Sequence, residues 1–366
     1  MLEKSIAPDR VMLPMLAVTF LSPLCHFLKE AGCEPKFVTA LIGKTGSKKS
    51  TLAALFLSFF GRFTAIDLPM SFHDTANSIL SNIYYLKDVL TCIDDFHPSG
   101  HFQEKEMKDI AQNISRYYGD RIGRARLNSK AELQASKPPT GNALITAEFS
   151  PEISESGCAR YFTIELDDDE VDLDELSRYQ RYAEQDLLSG IMMTYLDWLK
   201  EKYLNDADRF VKKLSELFLE YRTDFITKLT DRKIKFHSRV PDMLSHLKLG
   251  LVMLLEFLID TEFIGSDDRR RYLNNLDEIL LQTTSVSAEQ IIEEQPVTKF
   301  CDKLTSLLDS GRCYVDNRSA SSGAAGKGYI GMEDSENYYL LADAVHCEVK
   351  GCAVTRGSNS QSASSS

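Results

Sequence analysis

The chain has 366 residues, 43% of them hydrophobic and 26% charged, which is the make-up of a globular protein long enough for two or three domains. Its net charge of −12 excludes a generally basic coat for nucleic acid, though a local basic loop stays open. Eight cysteines are scattered with no Cys-x-x-Cys pair, and Cys347 and Cys352, the closest two, have no matching second pair for zinc, so reduced thiols in a cytosolic protein are expected.

Taken in chain order, residues 1–36 form a lead whose apolar stretch, Met12 to Leu28, is interrupted by Pro14 and Pro23 and contains His26. The lead-in Met1–Arg10 lacks the positive region of a signal peptide, so a buried helix over 12–30 is expected rather than a membrane segment. Leu249–Ile259 is also apolar but contains Glu256 and is too short to span a bilayer.

Residues 37–167 alternate strand and helix. Expected strands are Phe37–Ile42, Arg62–Leu68, Val89–Ile93, Ala143–Ala147 and Tyr161–Leu166. Expected helices are Ser50–Phe60, Thr75–Leu86, Glu104–Tyr118 and a short one near Pro151–Ser156. Such alternation predicts an α/β fold with a parallel sheet covered by helices on both faces. The acidic run Leu166–Glu175 reads as a solvated segment between domains rather than a metal site. From 168 to 316 the apolar residues fall at helical spacing, and Trp198 belongs to such a stripe as core. Residues 317–328 have linker composition, 329–352 hold two short strands and a further element, and the Ser-rich 353–366 is expected to be disordered.

The chemistry concentrates where the first strand ends. Leu41-Ile42-Gly43-Lys44-Thr45-Gly46-Ser47-Lys48-Lys49-Ser50-Thr51 places a glycine-containing loop between a strand and a helix, the context of a P-loop. Backbone N–H groups and the following helix N-terminus attract phosphate there. Gly43 and Gly46 allow close approach, Lys49 is the ammonium for the β- and γ-phosphates, and Ser50 offers a hydroxyl to Mg²⁺. Ser47, Lys48 and Thr51 complete the expected nucleotide contacts. Lys48 stands where the motif has its second glycine, so its backbone must take a conformation that a side chain tolerates. A glycine- and lysine-rich surface loop without ligand is the plainer alternative.

Asp94 and Asp95 end an apolar strand 45 and 46 residues after Lys49. At a strand C-terminus, Asp94 is expected to hold Mg²⁺, directly or through water, and Asp95 to orient or deprotonate the attacking water. Thr146 or Glu148, ending Ala143-Leu144-Ile145-Thr146-Ala147-Glu148, could meet the γ-phosphate or that water. Arg160, before the last strand, is either an arginine finger for a neighbouring subunit or an ordinary salt bridge. Arg121, Arg124 and Arg126, with Tyr117 and Tyr118 nearby, suit phosphate contact and base stacking, although a packed solvated loop explains them nearly as well. His73, His97 and His101 have no trustworthy metal-ligand spacing and read as structural or surface residues.

Together these motifs resemble the additional-strand class of P-loop ATPases, and more closely the mobile-element ATPases of phages, plasmids and integrated elements, related to superfamily 3 and AAA+ helicases and often beside primase domains. The pieces that carry the resemblance are Ser22-Pro23-Leu24, Thr45-Gly46-Ser47-Lys48-Lys49-Ser50, Thr75-Ala76-Asn77, Ile93-Asp94-Asp95-Phe96-His97-Pro98, Gly123-Arg124-Ala125-Arg126 and Cys158-Ala159-Arg160. It covers nearly the whole chain and reaches Gly328–Val349, where Tyr338-Tyr339-Leu340 is similar to the start of a winged-helix-like module, here expected to be partial. The resemblance implies an ATP- and Mg²⁺-dependent motor acting on DNA, a homo-oligomer in which a ring is one arrangement, and a primase supplied by another chain. A nucleotide switch without DNA translocation, and a truncated inactive remnant, are the competing implications.

Overall fold

The computed structural model describes every residue except 3, 99–100, 124–135, 152–158, 295, 318–327, 335–336, 346 and 349–366. Two compact units result, Met1–Ala288 and Glu289–Ser366.

The first unit is built on four parallel strands, β1 (Val38–Ile42), β2 (Leu90–Phe96), β3 (Asn142–Ala147) and β4 (Tyr161–Glu165), in the order β2-β3-β1-β4. Alternation along each strand divides the apolar side chains between two cores. Leu41, Cys92, Leu144 and Phe162 enter one, while Ala40, Ile93, Ile145 and Tyr161 enter the other. A sheet buried on both faces explains why these strands read as continuous apolar runs.

The strand expected over Arg62–Leu68 does not form; Ile66 there is 98% exposed. The chain instead meets the outer edge of β2 a few residues later. Asp94 N–H donates to Met70 O and Phe72 N–H to Asp94 O, both at 2.9 Å. Met70 and Phe72 are the buried pair, so burial places the contact past Pro69, which has no N–H to give.

One face of the sheet is covered by α4 (Ala76–Tyr85) and α5 (His101–Asp120), through Ile79, Ile83, Met107, Ile110 and Ile114. Thr75 caps α4, its hydroxyl accepting from Ser78 N–H at 3.3 Å. The other face carries α1 (Asp9–Leu21), α2 (Cys25–Glu30) and α3 (Lys49–Leu57). The helix expected over 12–30 is broken by a 3₁₀ turn at Ser22–Leu24, as Pro23 demands. Residues 9–30 are long and apolar enough to cross a membrane, with an 18-residue window of mean hydropathy 1.8, but 89% of that window is buried inside the fold. Thr19 and Ser22 are buried there because their hydroxyls donate to Met15 O at 2.7 Å and Val18 O at 2.8 Å.

Helices α6 (Leu173–Glu184), α7 (Leu187–Asn205), α8 (Ala207–Asp231), α9 (Val240–Asp260) and α10 (Ser266–Glu294) follow. Their apolar faces continue the α1 core without interruption, from Ile6 to Leu281. The boundaries expected near 36 and 167 therefore fall inside a single core. Gly250 makes the α1–α9 contact close: a Cβ on it would lie 2.2 Å from Ala17 O. Trp198 stacks on Tyr195 and donates from Nε1 to Asp260 at 3.0 Å, a packing role. The acidic run is spent on structure: Asp167 and Glu170 take Arg10, and Asp172 accepts from Asp174 and Glu175 N–H at 3.0 Å to cap α6.

The second unit joins α11 (Pro296–Asp309) to β5 (Tyr314–Asn317), β6 (Tyr329–Glu333) and β7 (Tyr338–Leu340), around Leu307, Cys313, Ile330 and Val345. Strands β5 and β6 run parallel, β6 and β7 antiparallel. This small unit begins earlier than the winged-helix-like segment expected from residue 329, because α11 and β5 supply part of its core. Cys158 and Cys352 lie outside the described residues, and Cys25, Cys33, Cys92, Cys301, Cys313 and Cys347 are free thiols.

Candidate active site

The loop Gly43–Lys48 leaves the C-terminal end of β1, a strand flanked by β3 and β4, and enters α3. Gly43 must be glycine, because a Cβ there would sit 2.3 Å from Leu166 O. Gly46 has φ +94°. Lys48 has φ 68° and ψ 21°, the left-handed conformation that glycine adopts freely, and its exposed side chain does not cap α3. The substitution thus keeps the backbone of the motif while changing its side chain. Ser47 Oγ is buried with no hydrogen-bond partner, an orphaned polar atom inside the cradle. The first N–H groups of α3 have no partner within the helix. Lys49 Nζ donates to Lys44 O at 2.8 Å across this loop. Burial lowers its pKa, and Glu148, Asp94, Asp95 and Asp168 act against that shift.

The strand ends bring the remaining groups to the loop. Ser50 Oγ donates to Asp94 Oδ1 at 2.9 Å, and Thr146 Oγ1 donates to the same oxygen. Thr146 Oγ1 also accepts from Asp95 N–H at 3.0 Å, so one hydroxyl ties both aspartates to β3. Between Ile93 and Phe96 the β2–β3 register shifts, and Asp95 takes φ 67°. Such a bulge re-aims a side chain, here lifting the Asp95 carboxylate to the surface while Asp94 stays against Ser50. Glu148 accepts from Thr45 Oγ1 and pairs with His97 Nδ1. The Thr45 hydrogen bond is the largest cause of its lowered pKa, with His97 and Lys49 adding to it. Thr51 lines a separate cavity of about 330 Å³ alongside Ala54, Ser58, Phe63 and Gln180.

Two oxygen donors, Ser50 and Asp94, suit Mg²⁺, a hard ion that keeps waters and substrate phosphates in its shell. Among the described residues no group of three or more His, Cys, Asp or Glu forms a metal cluster.

Of the four arginines singled out in the sequence, Arg121 and Arg160 lie among the described residues. Arg121 is a structural residue: its side chain is 4% exposed, and it donates to Pro35 O at 2.6 Å and Gly141 O at 2.8 Å. Its guanidinium is therefore turned into the fold and not presented on a surface for nucleic acid. Arg124 and Arg126 lie outside the described residues. Arg160 precedes β4, whose Tyr161 pairs with Val38 at the start of β1, so it sits at the opposite sheet end from Lys49. It is 13% exposed and holds Asp120 at 3.0 Å, and Arg239 of α9 reaches the same carboxylate at 3.3 Å. His73 and His97, which read as structural or surface residues in the sequence, both contact site carboxylates. His97 gave a faint signal, two residues after Asp95; His73 gave none.

Strand order, P-loop and acidic strand end define a P-loop NTPase core followed by a helical region. No family model matches the chain, and no curated protein matches it in sequence. Among solved structures it is similar to one titled "SCCmec type IV Cch - active helicase", with 15% identity and a TM-score of 0.61 over 93% of this chain. The chain spans 60% of the length of that protein. The JCV helicase, at 14% identity and 83% of this chain, and the NrS-1 C-terminal region, at 12% and 68%, give TM-scores of 0.26 and 0.28, which carry no argument. At these identities the likeness is one of fold.

Proposed function

We propose that the chain binds and hydrolyses ATP as a helicase- or translocase-like motor acting on DNA in mobile-element replication, in the cytoplasm. The observation that carries this reading is the convergence of Ser50 and Thr146 on Asp94 at the head of the P-loop helix. Lys49 would take the β- and γ-phosphates, with Gly43, Gly46, Ser47, Lys48 and Thr51 completing the cradle. Ser50 and Asp94 would hold Mg²⁺, which when bound supplies positive charge to the phosphate oxygens. Asp95 would accept the proton of the attacking water.

Arg160 would serve the site of a neighbouring subunit in a homo-oligomer, which requires its release from Asp120. A primase from another chain would complete the replication role. The test is phosphate release with and without single-stranded DNA, for the native chain and Lys49→Ala. A rate that depends on Lys49 and rises with DNA is expected; equal rates in the two proteins overturn the assignment.

A second reading is a nucleotide-dependent switch that does not travel along DNA. It is favoured by the burial of Arg121 and by the engagement of Arg160 within its own chain. A Lys49-dependent rate that DNA leaves unchanged selects it over the motor.

A further inference from the structure

His73 is carried to the site by a segment that pairs with β2 and buries Met70 and Phe72. Residues 70–72 are hydrogen-bonded on both sides of Asp94, with Asp94 N–H donating to Met70 O and Phe72 N–H to Asp94 O. Phe72 is 2% exposed and meets Phe96 edge to face, with ring centroids 5.1 Å apart. Beyond it the chain turns tightly. Ser71 N–H donates to Asp74 Oδ2 at 2.9 Å, Asp74 N–H to Ser71 O at 3.0 Å, and His73 N–H to Ser71 Oγ at 3.2 Å. Backbone pairing, one buried aromatic and this turn aim His73 at β2, where Nε2 lies 3.1 Å from Asp95 Oδ2.

Asp95 is tied at its backbone and at one carboxylate oxygen. Its N–H is bound by Thr146 Oγ1, its C=O accepts from His97 N–H at 3.0 Å, and Oδ2 faces His73, so that among the described residues the other carboxylate oxygen, Oδ1, is the one not engaged in these contacts. A left-handed aspartate at a strand bulge persists only where its surroundings over-determine it. The His73 and Asp95 side chains are 53% and 56% exposed, too open for their contact to matter much to folding. Its effect lies in direction: it selects one orientation of an exposed carboxylate.

We propose that His73 is the positioning residue for Asp95, donating from Nε2–H to Oδ2 so that Oδ1 is presented to the water that attacks the nucleotide. This rests on the reading of Asp95 as the base in ATP hydrolysis. A carboxylate that rotates away loses catalysis without loosening substrate, because the reacting geometry depends on it while phosphate binding does not.

The test is steady-state ATP hydrolysis by the native chain, His73→Ala, His73→Gln and Lys49→Ala, with nucleotide affinity measured by titration of a fluorescent ATP analogue. Loss of an orienting partner is expected to lower kcat about tenfold in His73→Ala, with KM and affinity within about twofold of native. His73→Gln, whose amide N–H can replace Nε2–H, is expected to recover most of the rate. Unchanged or increased kcat in His73→Ala overturns the proposal. So does a parallel loss of nucleotide affinity, or a glutamine variant as slow as the alanine one. A native rate no higher than that of Lys49→Ala overturns the ATPase reading and this proposal with it. A Lys49-dependent rate indifferent to His73 overturns this proposal alone.

Discussion

Lys48→Gly separates what the P-loop backbone needs from what its side chains add. Lys48 occupies the left-handed region, at φ 68° and ψ 21°. A side chain there costs roughly 1 kcal/mol or slightly more, which glycine removes. Glycine also gains freedom in the unfolded chain, a loss to stability of roughly 0.4–1 kcal/mol. The two nearly cancel, so the melting temperature should move by no more than about 4 °C, the shift that roughly 1 kcal/mol produces in a chain of this size. The lost ammonium is exposed and makes no capping bond, so its attraction to a triphosphate is worth less than about 1 kcal/mol, or about fivefold in Kd. Lys48→Val is the counterpart: a β-branched residue resists φ above zero, and both melting temperature and affinity should fall. The assay is a thermal melt together with titration of a fluorescent ATP analogue. A folded Lys48→Gly protein that no longer binds nucleotide, or a Lys48→Val protein that binds like native, refutes the backbone argument.

Two further outcomes concern stability. Arg121→Ala strips a buried guanidinium from the Pro35 and Gly141 carbonyls and from Glu34, 3.8 Å away, and is expected to cost about 3 kcal/mol or more. Chemical denaturation measures it; native stability with a selective loss of DNA binding would return Arg121 to the nucleic-acid surface. Burial pushes His246 down to about 4, and its contacts with Cys33 O and Asp242 O offset only part of that. The unfolded chain therefore takes up a proton below pH 6.5 that the folded chain refuses until about 4, so stability falls as pH drops through that window. The loss should reach up to about 3 kcal/mol and be flattened by His246→Gln in urea denaturation at pH 7 and 4.5. An imidazole resonance titrating near 6.5 in the folded protein would show that His246 is not shielded as its burial requires.

The departures from the sequence reading share a cause. The strand expected at 62–68 and the contact found at 70–72 are both short apolar stretches, and the burial of Met70 and Phe72, the latter packed on Phe96, separates them. Arg121 and Arg160 look alike in sequence, two arginines near aromatics in an acidic chain. One is enclosed by backbone carbonyls, the other is paired with Asp120 at the far end of the sheet. The small C-terminal unit takes in α11 and β5 because Leu307 and Cys313 pack with Ile330, contacts that bridge segments distant in sequence.

What the amino-acid sequence determined by itself is local or periodic. A strand running into Gly43-Lys44-Thr45-Gly46 and then a helix specifies its phosphate loop through steric freedom and helix-end N–H groups, both contained in about ten residues. Apolar strands ending in Asp94-Asp95 and in Thr146 declare a buried parallel sheet with polar C-terminal ends. Tertiary structure alone decided that the lead helix shares its core with α9, that Arg121 faces inward, and that His73 faces Asp95. Each depends on two segments meeting in space, and the identity of a neighbour is set by how whole faces bury together rather than by spacing along the chain.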